Sequence, residues 1–116
     1  MTKVRGIRGA TTSDDNTKDS ILDATGEMLA RLIESNDLAV DDIAAAHFTT
    51  TRDLNAEFPA VAARQMGWEE VPLLCGHEMD VPDAMQRVVR IMVMVNTDKS
   101  PGSIVHVYLK EAAKLR

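Results

Sequence analysis

Aromatic side chains are nearly missing from this sequence: Phe48, Phe58, Trp68 and Tyr108 are the only four in 116 residues. So few rings argue against a platform on which nucleic-acid bases could stack. Positive charge is also short, with 13 lysines and arginines against 18 acidic residues and a net charge of -5. The chain as a whole offers no electrostatic footprint for nucleic acid. A single cysteine, Cys75, excludes an intramolecular disulfide and fits a reducing compartment. No apolar run approaches the roughly 18 residues of a membrane span. The N-terminus MTKVRGIRGATT lacks the apolar core of a signal peptide. These absences point to a soluble cytoplasmic protein with neither nucleic-acid nor membrane partners. What is present is ordinary globular usage, 45% hydrophobic and 27% charged, enough for one domain over 1–116.

KVRGIRGA (3–10) is short and glycine-bounded and reads as a strand, with Arg5 and Arg8 on opposite faces. Asn16 offers a helix N-cap, with Asp19 three residues on. Ile21, Leu22, Thr25, Met28, Leu29, Leu32 and Ile33 then recur at helical spacing and predict an amphipathic helix over 17–35. A second strand follows at about 43–50. Pro59 fits a first helical position for a short helix ending near Gly67. VPLLC (71–75), QRVVRIMVMVNT (86–97) and IVHVYL (104–109) complete the strands, and KEAAKLR closes the chain as a helical turn or tail. The expected class is α+β, a mixed sheet with two helices on one face. The other face then needs a cover that one small chain cannot supply, so self-association is expected.

Two arginines fall among apolar neighbours. In the fourth strand Val89, Ile91, Val93 and Val95 share one face, and Val88, Arg90, Met92 and Met94 the other. A guanidinium in an apolar row wants a fixed anion, either from a ligand or from Glu78 or Asp80. Arg8 lies between glycines that let backbone or a ligand come close. On neighbouring strands Arg8 and Arg90 would form a clamp for a carboxylate.

The densest cluster of chemistry-bearing residues is VPLLCGHEMDVP (71–82), with Cys75, His77, Glu78 and Asp80. A structural zinc site needs four ligands in paired clusters, and no second Cys/His pair exists. In extended chain Cys75 and His77 share a face about 7 Å apart, too far for a thiol and its base. Two readings stay open. Cys75 and Glu78 are hydrogen-bonding groups at a small pocket, or a small buried cysteine precedes a solvated turn.

The chain resembles the small monofunctional chorismate mutases of the AroH class, the Bacillus-type family. The resemblance is carried end to end by RGIRGATT (5–12), DLNAEFPA (53–60), GWEEVPLLCGHEMDV (67–81), RVVRIMVMVNTD (87–98) and HVYLKEAAKLR (106–116). It implies a homotrimer, a pseudo-α/β barrel with active sites between subunits. It also implies an isomerase that converts chorismate to prephenate, in phenylalanine and tyrosine biosynthesis. That Claisen rearrangement needs no nucleophile, acid–base cycle, metal or cofactor. The protein has to hold a flexible dianion in a compact shape and stabilise charge growing on the ether oxygen.

Carried over by position, the resemblance gives Arg90 the ether oxygen and a carboxylate, and Arg8 a carboxylate. Glu78 and the main chain at Cys75 take the substrate hydroxyl, while the Cys75 side chain contacts the ring. Tyr108 donates to a carboxylate. Phe58, Ala60, Arg64 and Leu74 line the pocket, mostly from the neighbouring subunit, and Leu115 and Arg116 belong to a tail folding over it. Val61 stands where the family often has lysine, and Leu74 where it can have threonine. His77 and Asp80 receive no task. Two alternatives are a hydrolase of the small trimeric enamine-deaminase type and a non-catalytic trimer that binds anionic metabolites.

Overall fold

The computed structural model describes residues 1–116. Its elements are β1 (Lys3–Thr12), α1 (Lys18–Asn36), β2 (Ile43–Thr50), α2 (Ala60–Gln65), β3 (Leu73–His77), β4 (Val88–Thr97) and β5 (Val107–Tyr108). Short 3-10 turns occupy Val40–Asp42, Pro101–Ser103 and Lys110–Leu115. One five-stranded mixed sheet runs β3-β2-β4-β1-β5. β4 is antiparallel to both β1 and β2, whereas the outer pairs β2–β3 and β1–β5 are parallel. No helix is long and apolar enough to cross a membrane.

The centre of the sheet follows from alternation. Val89, Ile91, Val93 and Val95 of β4 are buried with Ile7 and Phe48 from the flanking strands. Against them α1 lays Ile21, Met28, Leu29 and Leu32, the stripe expected from the helical spacing. Gly9 makes this fit possible. A Cβ there would lie 3.0 Å from Ile91 and 3.2 Å from Leu32. The glycine thus admits the helix, where the sequence also allowed a ligand.

Several boundaries differ from the sequence reading. The cap of α1 is Thr17, not Asn16. Its extended backbone lets its hydroxyl accept from Ser20 N at 3.1 Å. Asn16 is spent on tertiary structure instead, accepting from the amides of Asn55 and Ala56 at 3.0 and 3.1 Å. Pro59 is the cap of α2, one position before its first helical residue. β3 starts two residues late and ends two late, because its ladder with β2 runs from Ala46–Leu73 to Thr50–His77. β4 begins at Val88, after Arg87 takes positive φ and donates its amide to Asp53 at 2.9 Å. β5 shrinks to Val107–Tyr108, since only Gly9–Val107 and Ala10–Tyr108 pair.

The face of the sheet away from the helices is open. Met92 and Met94 remain 40% and 45% exposed there, and Val4 and Leu74 more so. This is the uncovered apolar face that the element count led us to expect.

Candidate functional site

Register fixes which side chains meet on the open face. Arg90 of β4 is paired with Ala10 of β1 on one side and Thr49 of β2 on the other. Ala10 in turn pairs with Tyr108 of β5. Paired residues point to the same side of a sheet, and neighbouring strands lie about 4.8 Å apart. Tyr108, Ala10, Arg90 and Thr49 therefore form one row across four strands. Arg8 pairs with Met92 and sits diagonal to Arg90 on the same face. A shallow cavity of about 120 Å³ opens here, lined by Arg8, His47, Thr49, Arg90 and Met92 among others.

The electrostatics are uneven. Arg90 Nη1 donates to Glu78 Oε1 at 3.4 Å, with the arginine half-exposed and the glutamate more covered. That selects Glu78 over the exposed Asp80 as the ion-pair partner. The second carboxylate oxygen of Glu78 accepts from the Thr49 hydroxyl. Arg8 has no ion-pair partner, so it presents an uncompensated positive charge to the open face. Its amide donates to His106 Nδ1 at 3.0 Å. Partial burial lowers the His106 pKa below its ordinary 6.5, and the nearby charges of Arg8 and Arg116 lower it further. The imidazole is thus neutral, with Nδ1 as its acceptor. The Arg116 guanidinium lies 5.7 Å from the centroid of the Tyr108 ring, within cation–π range, so the end of the chain reaches this face.

The loop that looked like one cluster is split by β3. Cys75 is in register with buried Phe48, and His77 with Thr50, on the helix side. Leu74 is in register with His47, on the open side, and Glu78 reaches that side through Thr49 and Arg90. On the helix side a cavity of about 390 Å³ lies between β3 and the segment leading into α2, lined by Thr50, Leu54, Phe58, Cys75 and His77 among others. The Ala60 backbone favours the Cys75 thiolate, though less than burial disfavours it. Cys75 is exposed in the protomer, so it is not the small buried cysteine that the sequence also allowed; partial burial of the thiol still raises its pKa, the opposite of what a nucleophile needs. His77 Nδ1 stands 3.3 Å from both the hydroxyl and the carbonyl of Thr50, so its contacts lie across the strand. No group of three or more His, Cys, Asp or Glu side chains is placed to hold a metal.

The remaining sequence candidates fall into place as follows. Phe58 is exposed at the rim of the larger cavity, beside Ala60. Arg64 is occupied by its own chain: Nη1 donates to the carbonyls of Trp68, of Glu69 at 3.0 Å and of Val71 at 3.0 Å. Leu74 and Leu115 are exposed. Sequence reasoning missed Thr49 and His106. Thr49 carried a signal, a polar residue in phase with His47 on a strand's open face. His106 carried none, because its partner is a main-chain amide 98 residues away in sequence.

Comparison with known proteins shows the family. The family model described as chorismate mutase type I matches residues 4–116. The chorismate mutase AroH of Thermus thermophilus is 46% identical over 114 residues, covering 97% of this chain and 93% of the relative. The Bacillus subtilis (strain 168) chorismate mutase AroH is 41% identical, with 97% and 90% covered. The solved chorismate mutase from Clostridium thermocellum superposes with a TM-score of 0.94 at 48% identity, over 95% of this chain and 98% of that one. With one sheet, one open cationic face and near-complete coverage in each comparison, the chain belongs to the chorismate mutase type I family.

Proposed function

We propose that this chain rearranges chorismate to prephenate in a cytoplasmic homotrimer whose active sites lie between subunits. As a chorismate mutase it is an isomerase, and family membership overrides the hydrolase alternative. The observation that carries the proposed site is the division of its residues between two faces of one sheet. Arg8, Glu78, Arg90 and Tyr108 face one way, and Phe58 and Cys75 the other. In this reading the two halves close on one small molecule across a subunit boundary.

In this reading Arg8 and Tyr108 hold carboxylates of the dianion and Glu78 accepts from its hydroxyl. Arg90 meets the negative charge that grows on the ether oxygen as the C–O bond breaks and the C–C bond forms. A donor held in place for charge absent from the ground state is worth about 3–4 kcal/mol in a water-poor cleft. Phe58, Ala60 and Cys75 supply the opposite wall, Leu74 lines the open side, and the Cys75 thiol, whose pKa partial burial raises, serves as packing. Arg64 braces that wall through its carbonyl contacts. Leu115 and Arg116 close the tail over Tyr108. Neither metal nor cofactor enters the rearrangement.

The test is direct. Purified chain should consume chorismate and form prephenate without additives, and should sediment as a trimer. A chain that folds but leaves chorismate untouched would overturn the activity. A monomer active at dilution would overturn the shared site.

A further inference from the structure

Glu78 faces two competing demands. As the anion nearest Arg90, it draws the guanidinium toward a full ion pair. As the proposed acceptor of the substrate hydroxyl, it has to stay where the substrate arrives. Its main chain is fixed, since its amide donates to Thr50 O at 2.8 Å just past the end of β3. Its side chain still has free torsions, and a flexible carboxylate beside an arginine normally closes to about 2.7–2.9 Å. Here the Arg90–Glu78 contact stays at 3.4 Å. The other oxygen, Oε2, is taken by the Thr49 hydroxyl, which register places beside Arg90 on the adjacent strand. Thr49 has one hydroxyl proton, and it is spent on this bond. Thr49 is the penultimate residue of β2, half-buried between buried Phe48 and Thr50, and is rigid at χ1 because it is β-branched.

We propose that Thr49 is a positioning residue: it holds Glu78 by one carboxylate oxygen, keeps Arg90 from closing on the other, and leaves the guanidinium available to the transition state. The inference rests on the active site proposed above. Thr49 itself touches no reacting atom. It settles a contest between two groups that do. Without it, Glu78 swings onto Arg90 and quenches the donor before the ether oxygen can use it.

The decisive variants are Thr49→Val, which keeps shape and loses the hydroxyl, and Thr49→Ser, which keeps the hydroxyl. Thr49→Val is expected to lower kcat about tenfold, the loss expected for one hydrogen bond to a charged group. KM should move much less, because Arg8 and Tyr108 still bind the dianion. Thr49→Ser should recover most of the wild-type kcat. A purely structural role would instead lower the thermal midpoint and the active fraction without separating Val from Ser. Wild type and Arg90→Ala are run in the same assay, so failure of the proposed site shows there, whatever Thr49 does. A folded Thr49→Val with wild-type kcat would overturn the inference, as would a Thr49→Ser that loses as much as Thr49→Val. If Thr49→Val does not fold, Thr49→Ala carries the same comparison.

Discussion

The two faces of the sheet differ in what they offer a ligand, and in the proposed site they are opposite halves. The open face concentrates charge: Arg8 and Arg90 border a cavity of about 120 Å³, and Glu78 pairs with Arg90 beside it. The edge near β3 has room without cations: about 390 Å³ bounded by Phe58, Cys75, His77 and polar loop residues. A dianionic substrate needs both, positive charge to hold its carboxylates and a wall to enforce a compact shape. In the proposed trimer each protomer would carry two incomplete sites for its neighbours to complete. The open apolar face argues for association on independent grounds, since Met92 and Met94 are exposed beside Arg90.

The largest effect should come from removing the cation at the centre of the open face. Arg90→Ala is expected to lower kcat by about two to three orders of magnitude, the equivalent of roughly 3–4 kcal/mol, with circular dichroism unchanged. Retention of most of the rate would break the electrostatic half of the comparison. Next comes the wall. Phe58 is exposed in the protomer, so Phe58→Asp should fold, yet it sets an anion against a dianion and should cost on the order of tenfold to a hundredfold in kcat/KM. Arg90→Ala and Phe58→Asp subunits, each poorly active, should regain activity when co-assembled, because some boundaries then join two intact halves. No gain on mixing would place the whole site in one protomer.

Cys75→Ser tests the chemistry of the wall and should be mild, a few-fold at most, since a thiol with a raised pKa has no nucleophilic role to lose. Inactivation would restore the thiol to a chemical part. The smallest effect concerns His106. Its folded pKa lies below 6.5, so the native state binds fewer protons than the unfolded chain as acid is added. Its contribution to stability is present above about pH 6.5 and is lost as pH falls through the lowered value. Urea midpoints measured at pH 7.5 and 5.5 should therefore drop more in wild type than in His106→Asn, which keeps an acceptor and cannot titrate. An equal drop in both would remove His106 from the link between β1 and the segment before β5.

Much of the molecule was legible in the order of residues. The spacing of Ile21, Met28, Leu29 and Leu32 defined α1 and its buried stripe. Strict alternation in β4 put Arg90 on the face opposite Val89 and Ile91, and counting elements left that face bare. The chemically suggestive loop was misleading only in its crowding. The period of a strand separates Cys75 from Glu78, and the same rule kept Cys75 and His77 too far apart to be a dyad. Ends of elements were less legible. The cap at Thr17 and the two-residue β5 depend on bonds to distant segments, as when Asn16 turns from its own helix to the amides of Asn55 and Ala56.

What the sequence determined alone was the face each side chain occupies, because that follows from local backbone geometry. What only the tertiary structure decided was which residues on a face are neighbours. The register of β4 against β1 and β2 aligned Arg90 with Ala10, Tyr108 and Thr49. It chose Glu78 over Asp80 as the partner of Arg90, and it gave Thr49 and His106 their contacts. Those pairings close loops between segments tens of residues apart. They are fixed by the ladder of hydrogen bonds and the packing of one core, which no short stretch of chain contains.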